Sequence, residues 1–375
     1  MIDLALHYGQ GPVLLKDIAK RKKMQKIVVA MSGGIDSSVA AYLLKEEGWD
    51  VRGITMRLWE DNSKWCSLEN IYEAERVAEK LNIPHYGVNF KEEFKKEVIK
   101  YFLNEYIKGR TPNPCCVCNK TIKFGLLLDK AGKLGADYIA TGHYAGVEYD
   151  QSKKRWLLKE GEDKDKDQSY FLALLSQEQL SKVVFPLGKY RKEKVREIAK
   201  DIGLKIVRER ESEEVCFIPD GDVLSFVEKS KLDAKEGFIV DKEGDILGKH
   251  KGIAGYTIGQ RRKVGIAVGK PVYVVNLNAE SNTITVGEDE DLYKKEFITE
   301  GLNWVSIPGI DSKLECLVKI RYKHKKTGAN IEPIDKDSVL VKFKRPERAI
   351  TPGQLAVFYK RDEVLGAGWI KEIYK

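Results

Sequence analysis

Seven residues, Ser32-Gly33-Gly34-Ile35-Asp36-Ser37-Ser38, restrict the fold of this chain more than any other stretch. They follow a β-branched apolar run ending at Met31 and open a segment, SSVAAYLLKEEG, with the period of a helix. A strand that turns through paired glycines into a helix brings backbone amides and the positive end of the helix dipole to one point, where a phosphate can be held. The loop carries neither the GxxxxGK[ST] pattern of a Walker A motif nor the GxGxxG of a dinucleotide fold.

Around it, short β-branched runs alternate with helical periods: KIVVAM, VRGITM and HYGVNF read as strands, and a helix is expected near residues 69–82. This alternation predicts a parallel α/β sheet. In KEEFKKEVIKYFLNEYIKG the residues Phe94, Val98, Phe102 and Tyr106 recur every fourth position, the buried stripe of one helix. Another helix is expected from about Asn119 to Lys133, feeding the strand DYIATGH. Residues 151–167 are dominated by charge and read as a hairpin or exposed loop, with RWLL an edge strand. Residues 177–231 look helical and short. From about Gly237 onward, strands alternate with Gly, Asn and Asp turns, the texture of a β-barrel or sandwich. The divisions expected are an extension 1–24, a nucleotide-binding domain 25–165, a helical connector 166–235 and a β-barrel 236–375. The extension is expected to form one helix and a short second piece.

No apolar run approaches the ~20 residues of a membrane helix, and the N-terminus lacks the apolar block of a secretory signal, so a cytoplasmic protein is expected. Basic residues gather at the two ends, with 6 Lys and Arg against 2 Asp and Glu in residues 1–26 and 15 against 9 in residues 301–375, which suggests a polyanionic partner. Arg321, Lys323, His324, Lys325 and Lys326, with Tyr322 interleaved, suit phosphate attraction and base stacking. Six cysteines lie at 66, 115, 116, 118, 216 and 316. Three fall within four positions, which points to thiol chemistry or metal ligation rather than to stapling. They sit on a Pro-braced loop at the start of a helix, where the dipole favours a thiolate. Cys66 and Cys316 read as buried or incidental.

The SGGxDS loop resembles that of the ATP-pyrophosphatases, which cleave ATP to AMP and pyrophosphate. The resemblance becomes close with MSGGIDSSVAAYLL, GRTPNPCCVCNKTIKFG, LGADYIATGHYA, KDQSYFL, FPLGKY, ESEEVCFI, GYTIGQRRKVGI and TPGQLAVFY, which run in that order. Together they are similar to the bacterial tRNA-specific 2-thiouridylases over more than nine-tenths of the chain. The resemblance implies a PP-loop α/β domain with a parallel sheet (adenine nucleotide alpha hydrolase-like), a small helical connector and a C-terminal β-barrel that helps grip tRNA. It implies ATP, bound by Ala30, Met31, Ser32, Gly33, Gly34, Ile35, Asp36 and Ser37 with Met56 and Gly142, and Mg²⁺ shielding the triphosphate. Cys118 would be the nucleophile and Cys216 the persulfide carrier. Asn113, Pro114 and Cys115 would face the target base, and His143, Lys166, Asp167, Gln168, Arg321, Tyr322 and Gln354 would contact tRNA. The implied partners are tRNAs of the Lys, Glu and Gln type and a cysteine desulfurase or sulfur-relay protein. On this division of labour, removing the barrel abolishes modification and spares ATP binding.

One departure stands out. Many family members carry Asp three positions before the nucleophile, where this chain has Cys115. Cys115 and Cys118 with Cys216 would also make a three-thiolate ligand set for a [4Fe-4S] cluster, an alternative to the persulfide. Two other readings stay open: an ATP pyrophosphatase acting on a small molecule, which needs neither Cys118 nor Cys216, and a metal-binding RNA module or CxxC redox protein.

Overall fold

A computed structural model describes residues 25–59, 68–204, 215–218, 221–230 and 235–374. The N-terminal extension, Cys66 and the polar approach Glu211–Glu214 lie outside the described residues.

The first sheet is parallel throughout, in the order His85–Asn89, Asp50–Arg57, Lys26–Ala30, Tyr138–Ala140, Val183–Val184. Strand Lys26–Ala30 is buried on both faces: Val28 joins one apolar core and Ile27 and Val29 the other, as a central parallel strand requires. The order of strands reverses beside this strand. In open α/β sheets a ligand crevice opens at that switch point, beyond the carboxyl ends of the strands. The glycine loop and Gly142 both emerge there.

The expected stripe of Phe94, Val98, Phe102 and Tyr106 is buried as one face of a helical run from Lys91 to Ile107, whose middle turn Lys95–Ile99 is π-helical. Each side chain contributes roughly 1.5–3 kcal/mol by leaving water. The cysteine segment departs from expectation. The helix begins at Pro114, five residues before the expected start, because Asn113 caps it by accepting from the Cys116 amide at 3.4 Å and proline is preformed for a first turn. The three thiols therefore lie on helix rather than on loop. Three-residue spacing puts Cys115 and Cys118 on neighbouring faces, while Cys116 turns into the core with no exposed surface.

The connector region is built of short helices, Gln177–Ser181, Lys192–Asp201 and Val223–Lys229. Residues 237–287 form a four-stranded sheet of their own, ordered Tyr273–Asn278, Thr283–Gly287, Gly237–Val240, Ile246–His250. The six strands Tyr293–Trp304, Ser338–Arg348, Thr327–Pro333, Leu314–Lys319, Leu355–Lys360 and Glu363–Ile373 close on themselves, first pairing with last, into a barrel. Its core includes Cys316, whose thiol burial pushes up to about 12.

Residues 145–160 form a hairpin, Ala145–Asp150 with Arg155–Glu160, which pairs with barrel strand Glu363–Ile373 through Leu158 and Lys159. The apolar core around Val28, Phe124 and Tyr170 takes in Val305, Leu355, Val357, Tyr359 and Val364 of the barrel. Tyr170 Oη donates to the Leu355 carbonyl at 2.8 Å, and Asn303 Nδ2 donates to the carbonyls of Ala173 and Leu175. Stripping the barrel away would expose this flank of the nucleotide-binding domain.

Candidate active site

The glycine loop is tied at both ends. Met31 N donates to the Ile54 carbonyl at 2.8 Å, and Ser37 Oγ accepts from Ser32 N at 3.1 Å while donating to the Gly34 carbonyl at 3.1 Å. Gly33 has φ +76°, and a Cβ there would stand 2.5 Å from the Asn70 carbonyl oxygen, so only glycine fits. Gly34 is the N-cap of helix Ile35–Glu46 and no side chain caps that helix, which aims its first-turn amides at the loop's concave side.

Asp36, in the first turn, accepts from Lys192 Nζ at 2.7 and 2.9 Å and from Tyr144 Oη at 2.7 Å. Lys192 comes from the first turn of helix Lys192–Asp201 and is nearly buried, with its own amide donating to Asp163 Oδ2 at 2.9 Å. A lysine in so charged a segment gives no sign in the sequence that it turns inward, and it is the clearest member of the site that sequence reasoning missed. Lys123, inside the quoted NKTIKFG, is another.

One cavity of about 1840 Å³ gathers these parts. Every expected ATP-binding position lines it: Ala30, Met31, Ser32, Gly33, Gly34, Ile35, Asp36, Ser37, Met56 and Gly142. So do Pro114, Cys115, Cys118, His143, Lys166, Asp167, Gln168, Cys216 and Tyr322, whereas Asn113, Arg321 and Gln354 do not. Cys216 reaches the wall on a short turn in which Ile218 N donates to the Val215 carbonyl. The neighbouring Phe217 anchors that turn among Trp59, Phe94, Phe102 and Phe226, with ring centroids 5.1–6.2 Å away. Cys118 belongs to the same apolar cluster. Thiols on two distant segments thus share a wall with the loop.

The dipole argument for thiolates does not carry to Cys115 and Cys116. Cys115 opens to the cavity, yet the wall around it is dense, and loss of water raises its pKa, only partly offset by the charge of Lys123. Burial and the adjacent Cys115 hold the Cys116 thiol well above its ordinary range. The dipole at the start of the helical run Pro114–Lys133 does not overcome this desolvation. Among the described residues no three His, Cys, Asp or Glu side chains are arranged to hold a single metal ion.

His143 keeps part of its ring on the cavity but is enclosed by Phe124 and Phe185, with Nδ1 2.6 Å from Thr141 Oγ1. Desolvation, and then Lys123, hold its pKa well below 6.5, so the ring is neutral at physiological pH. Asp167 is turned inward, accepting from the amides of Gly161 and Ser169 and from Ser169 Oγ at 2.9–3.1 Å. Gln168 accepts from the Tyr144 amide at 3.1 Å. Arg321 donates to the carbonyls of Arg348 and Ala349, and Gln354 to those of Thr111 and Pro112. Tyr322 stacks on Phe171 at 4.5 Å with Lys319 Nζ 5.6 Å from its ring centroid. Lys164, Lys166, Lys319, Lys323, His324, Lys325 and Lys326 form a basic rim, from which Lys326 is drawn to Glu160 at 2.8 Å.

Burial lowers the pKa of His85, His143, His250 and His324 alike. In the unfolded chain each takes up a proton near pH 6.5, which the folded chain refuses until lower pH, so stability is lost as pH falls below about 6.5 and is level above it. Thermal midpoints should fall steadily from about pH 6.5 to 5 and stay level from 7 to 8. A level midpoint from 5 to 7 would contradict the burial of these rings.

An α/β domain with an amide-lined phosphate loop at its switch point, facing cysteines on the same wall, defines a nucleotide-binding protein of the ATP-pyrophosphatase kind with a β-barrel lobe. Residues 25–220 match the family described as tRNA methyl transferase HUP domain, residues 225–288 the tRNA methyl transferase PRC-barrel domain and residues 294–370 the aminomethyltransferase beta-barrel domain. The chain is 51% identical over 356 residues to "tRNA-specific 2-thiouridylase MnmA 1" of Caldanaerobacter subterraneus subsp. tengcongensis, covering 92% of this chain and 98% of that protein. It is 48% identical to "tRNA-specific 2-thiouridylase MnmA" of Clostridioides difficile, covering 93% and 98%. Among solved structures, U34-tRNA thiolase NcsA from Methanococcus maripaludis with its [4Fe-4S] cluster aligns at 21% identity and a TM-score of 0.34 over 58% of this chain and 74% of that one, too loose to bear on the site. On whole-length identity, this chain belongs to the tRNA-specific 2-thiouridylase family.

Proposed function

We propose that the protein is a tRNA-uridine 2-sulfurtransferase that replaces the C2 oxygen of the wobble uridine with sulfur at the expense of ATP. The observation that carries this reading is the single cavity lined by the glycine loop, Cys118 and Cys216. The loop amides and the start of helix Ile35–Glu46 hold the phosphates of ATP. The uracil C2 oxygen attacks the α-phosphorus and pyrophosphate departs, leaving an oxygen that can be expelled as AMP. The terminal sulfur of a persulfide on Cys216 then bonds to C2, and AMP leaves. Cys118 thiolate attacks the Cys216 sulfur, the S–S bond to the transferred atom breaks, and its electron pair stays on the thiocarbonyl sulfur. Two thiols have become a Cys118–Cys216 disulfide, which a dithiol reductant resets. A persulfide on Cys216 is the sulfur form in this reading because Cys118 and Cys216 line the same cavity as the glycine loop. Magnesium fits as an ion brought with the triphosphate, with Asp36 the carboxylate nearest the loop amides, and it would supply charge neutralisation.

Pro114 and Cys115 face the target base in this reading, with Asn113 beside them capping the helix that carries them. His143, Lys166, Asp167, Gln168 and Tyr322 meet tRNA from the cavity wall, together with the basic rim, while Arg321 and Gln354 meet it outside that wall. Working divisions are 25–165 for nucleotide chemistry, 166–235 as connector and 236–375 for tRNA. Substrates are tRNAs of the Lys, Glu and Gln type, with sulfur from a cysteine desulfurase or relay protein in the cytoplasm; among the described residues no helix is long and apolar enough to cross a membrane. The test is mass spectrometry of tRNA nucleosides after incubation with ATP, Mg²⁺ and a persulfide donor. The expected product is 2-thiouridine at the wobble position with equal AMP and pyrophosphate, from colourless, iron-free enzyme. Pyrophosphate release that needs a small molecule in place of tRNA would favour the alternative ligase reading.

A further inference from the structure

Lys123 lines the cavity together with Cys115 and Cys118, which precede it on the same helical run. In a plain α-helix, residues spaced like Cys118 and Lys123 diverge by about 140° around the axis, and the lysine would turn away from the thiol. Here the turn Asn119–Leu126 is π-helical, with Leu127 N donating to the Ile122 carbonyl, and the wider turn carries residue i+5 back toward residue i. That turn is fixed from outside: Gln179 Nε2 donates to the carbonyls of Lys120 and Phe124 at 2.8 Å each. The ring of Phe124 sits 5.9 Å from that of His143. His143 follows Gly142, which abuts the backbone of Asp36 and Ser37 in the first turn of the helix that receives phosphate. Lys123 is thereby held between Cys115, on the side of the target base, and the phosphate loop.

Its charge is left unbalanced there. Among the described residues no hydrogen bond or ion pair engages the Lys123 ammonium. The titratable groups that feel its charge, Cys115 and His143, are a thiol and a ring that burial keeps neutral. Three carboxylates of the same cavity are already engaged: Asp36 by Lys192, Glu160 by Lys326 and Asp167 by backbone amides. A partly buried cation without a counter-ion is costly, and the cost is recovered when an anion arrives. We propose that Lys123 is a catalytic residue that contacts the α-phosphate of ATP and neutralises the charge gathering on it as the uracil C2 oxygen attacks. A lone pair of that oxygen forms the new bond to the α-phosphorus, the bond from phosphorus to the bridging oxygen breaks, and its electron pair leaves with pyrophosphate. Lys123 keeps its proton throughout. The α-phosphorus, rather than an outer phosphate or a tRNA phosphate, is the atom that must lie between the loop amides and the base, while the rim lysines face the rest of the tRNA. The proposal rests on the thiolase reading for its kinetic consequence, but the contact it asserts can be tested without tRNA.

The test uses the full chain with Lys123→Met and Lys123→Arg, titrated calorimetrically with AMP and with adenosine, which differ only in the α-phosphate. The wild type should bind AMP more tightly than adenosine. Methionine should cut that preference by about tenfold and leave adenosine affinity as it is, while arginine, which keeps the charge, should hold the preference within about threefold. In single turnover with ATP, Mg²⁺ and tRNA, pyrophosphate release should fall about a hundredfold in Lys123→Met and recover in part in Lys123→Arg, with tRNA affinity by filter binding within about twofold. The proposal is overturned if the wild type shows no preference for AMP, or if Lys123→Met keeps it. A tenfold loss of tRNA affinity with AMP binding intact would overturn it in favour of a tRNA phosphate contact. Absence of thiolation in the wild type would defeat the functional reading and leave the comparison of AMP with adenosine to decide this one. Should Lys123→Met fail to fold, Lys123→Gln carries the test.

Discussion

Serine at Cys216, or at Cys118, is expected to abolish tRNA thiolation while leaving ATP affinity unchanged. Cys216 is the sulfur carrier and Cys118 the group that releases the sulfur in the proposed sequence, so an oxygen at either position stops the cycle. A loss of about 10³ or more in turnover is expected, because groups that act as one unit fail together when either is removed. The internal control is Cys316→Ser: this thiol sits in the barrel core, away from the cavity, and its replacement should lower the melting temperature and leave chemistry intact. Nucleoside mass spectrometry reads the first effect and calorimetric titration with ATP the second. Undiminished thiolation in both Cys216→Ser and Cys118→Ser would remove the thiols from the mechanism.

The second large effect is expected at a glycine. A Cβ on Gly142 would stand 2.7 Å from the Asp36 carbonyl carbon, 2.8 Å from Ser37 N and 2.9 Å from Asp36 Cβ. Two of these atoms are backbone at the first turn of the helix that receives phosphate, so they cannot step aside without moving the amides. Gly142→Ala should weaken ATP binding by about a hundredfold and halt pyrophosphate release, with tRNA affinity retained. Calorimetric titration that finds ATP affinity within about threefold of the wild type would show that the contact has slack the geometry does not suggest.

These two sites differ in how they could be read beforehand. The glycine loop was legible because the need for close backbone approach leaves a local mark, paired glycines between an apolar strand and a helical period. The four-residue stripe from Phe94 to Tyr106 was legible for the same reason, one element with one periodicity. Gly142, and the role of Cys216 as sulfur carrier, follow from resemblance rather than from local physics. Lys192 was not reached at all, since its partner Asp36 lies 156 positions away and its neighbours in sequence are charged on every side. The cysteine helix starts five residues before the expected Asn119 because a CCVC run has no period; its start is marked instead by the capping pair Asn113-Pro114. That Asp167, Arg321 and Gln354 bond main-chain groups of their own fold leaves no local mark in the sequence.

The pairing of hairpin 145–160 with barrel strand Glu363–Ile373 bears on how the chain is born. As it leaves the ribosome, the nucleotide-binding lobe is complete in sequence by residue 220, about 140 residues before the strand beginning at Glu363 that covers its side. Until translation ends, apolar residues such as Leu158 and Tyr170 have no cover, and nascent chains in that condition are substrates for chaperones and proteases. Premature stops in the final strand would then be cleared from the cell rather than accumulate as half-enzymes.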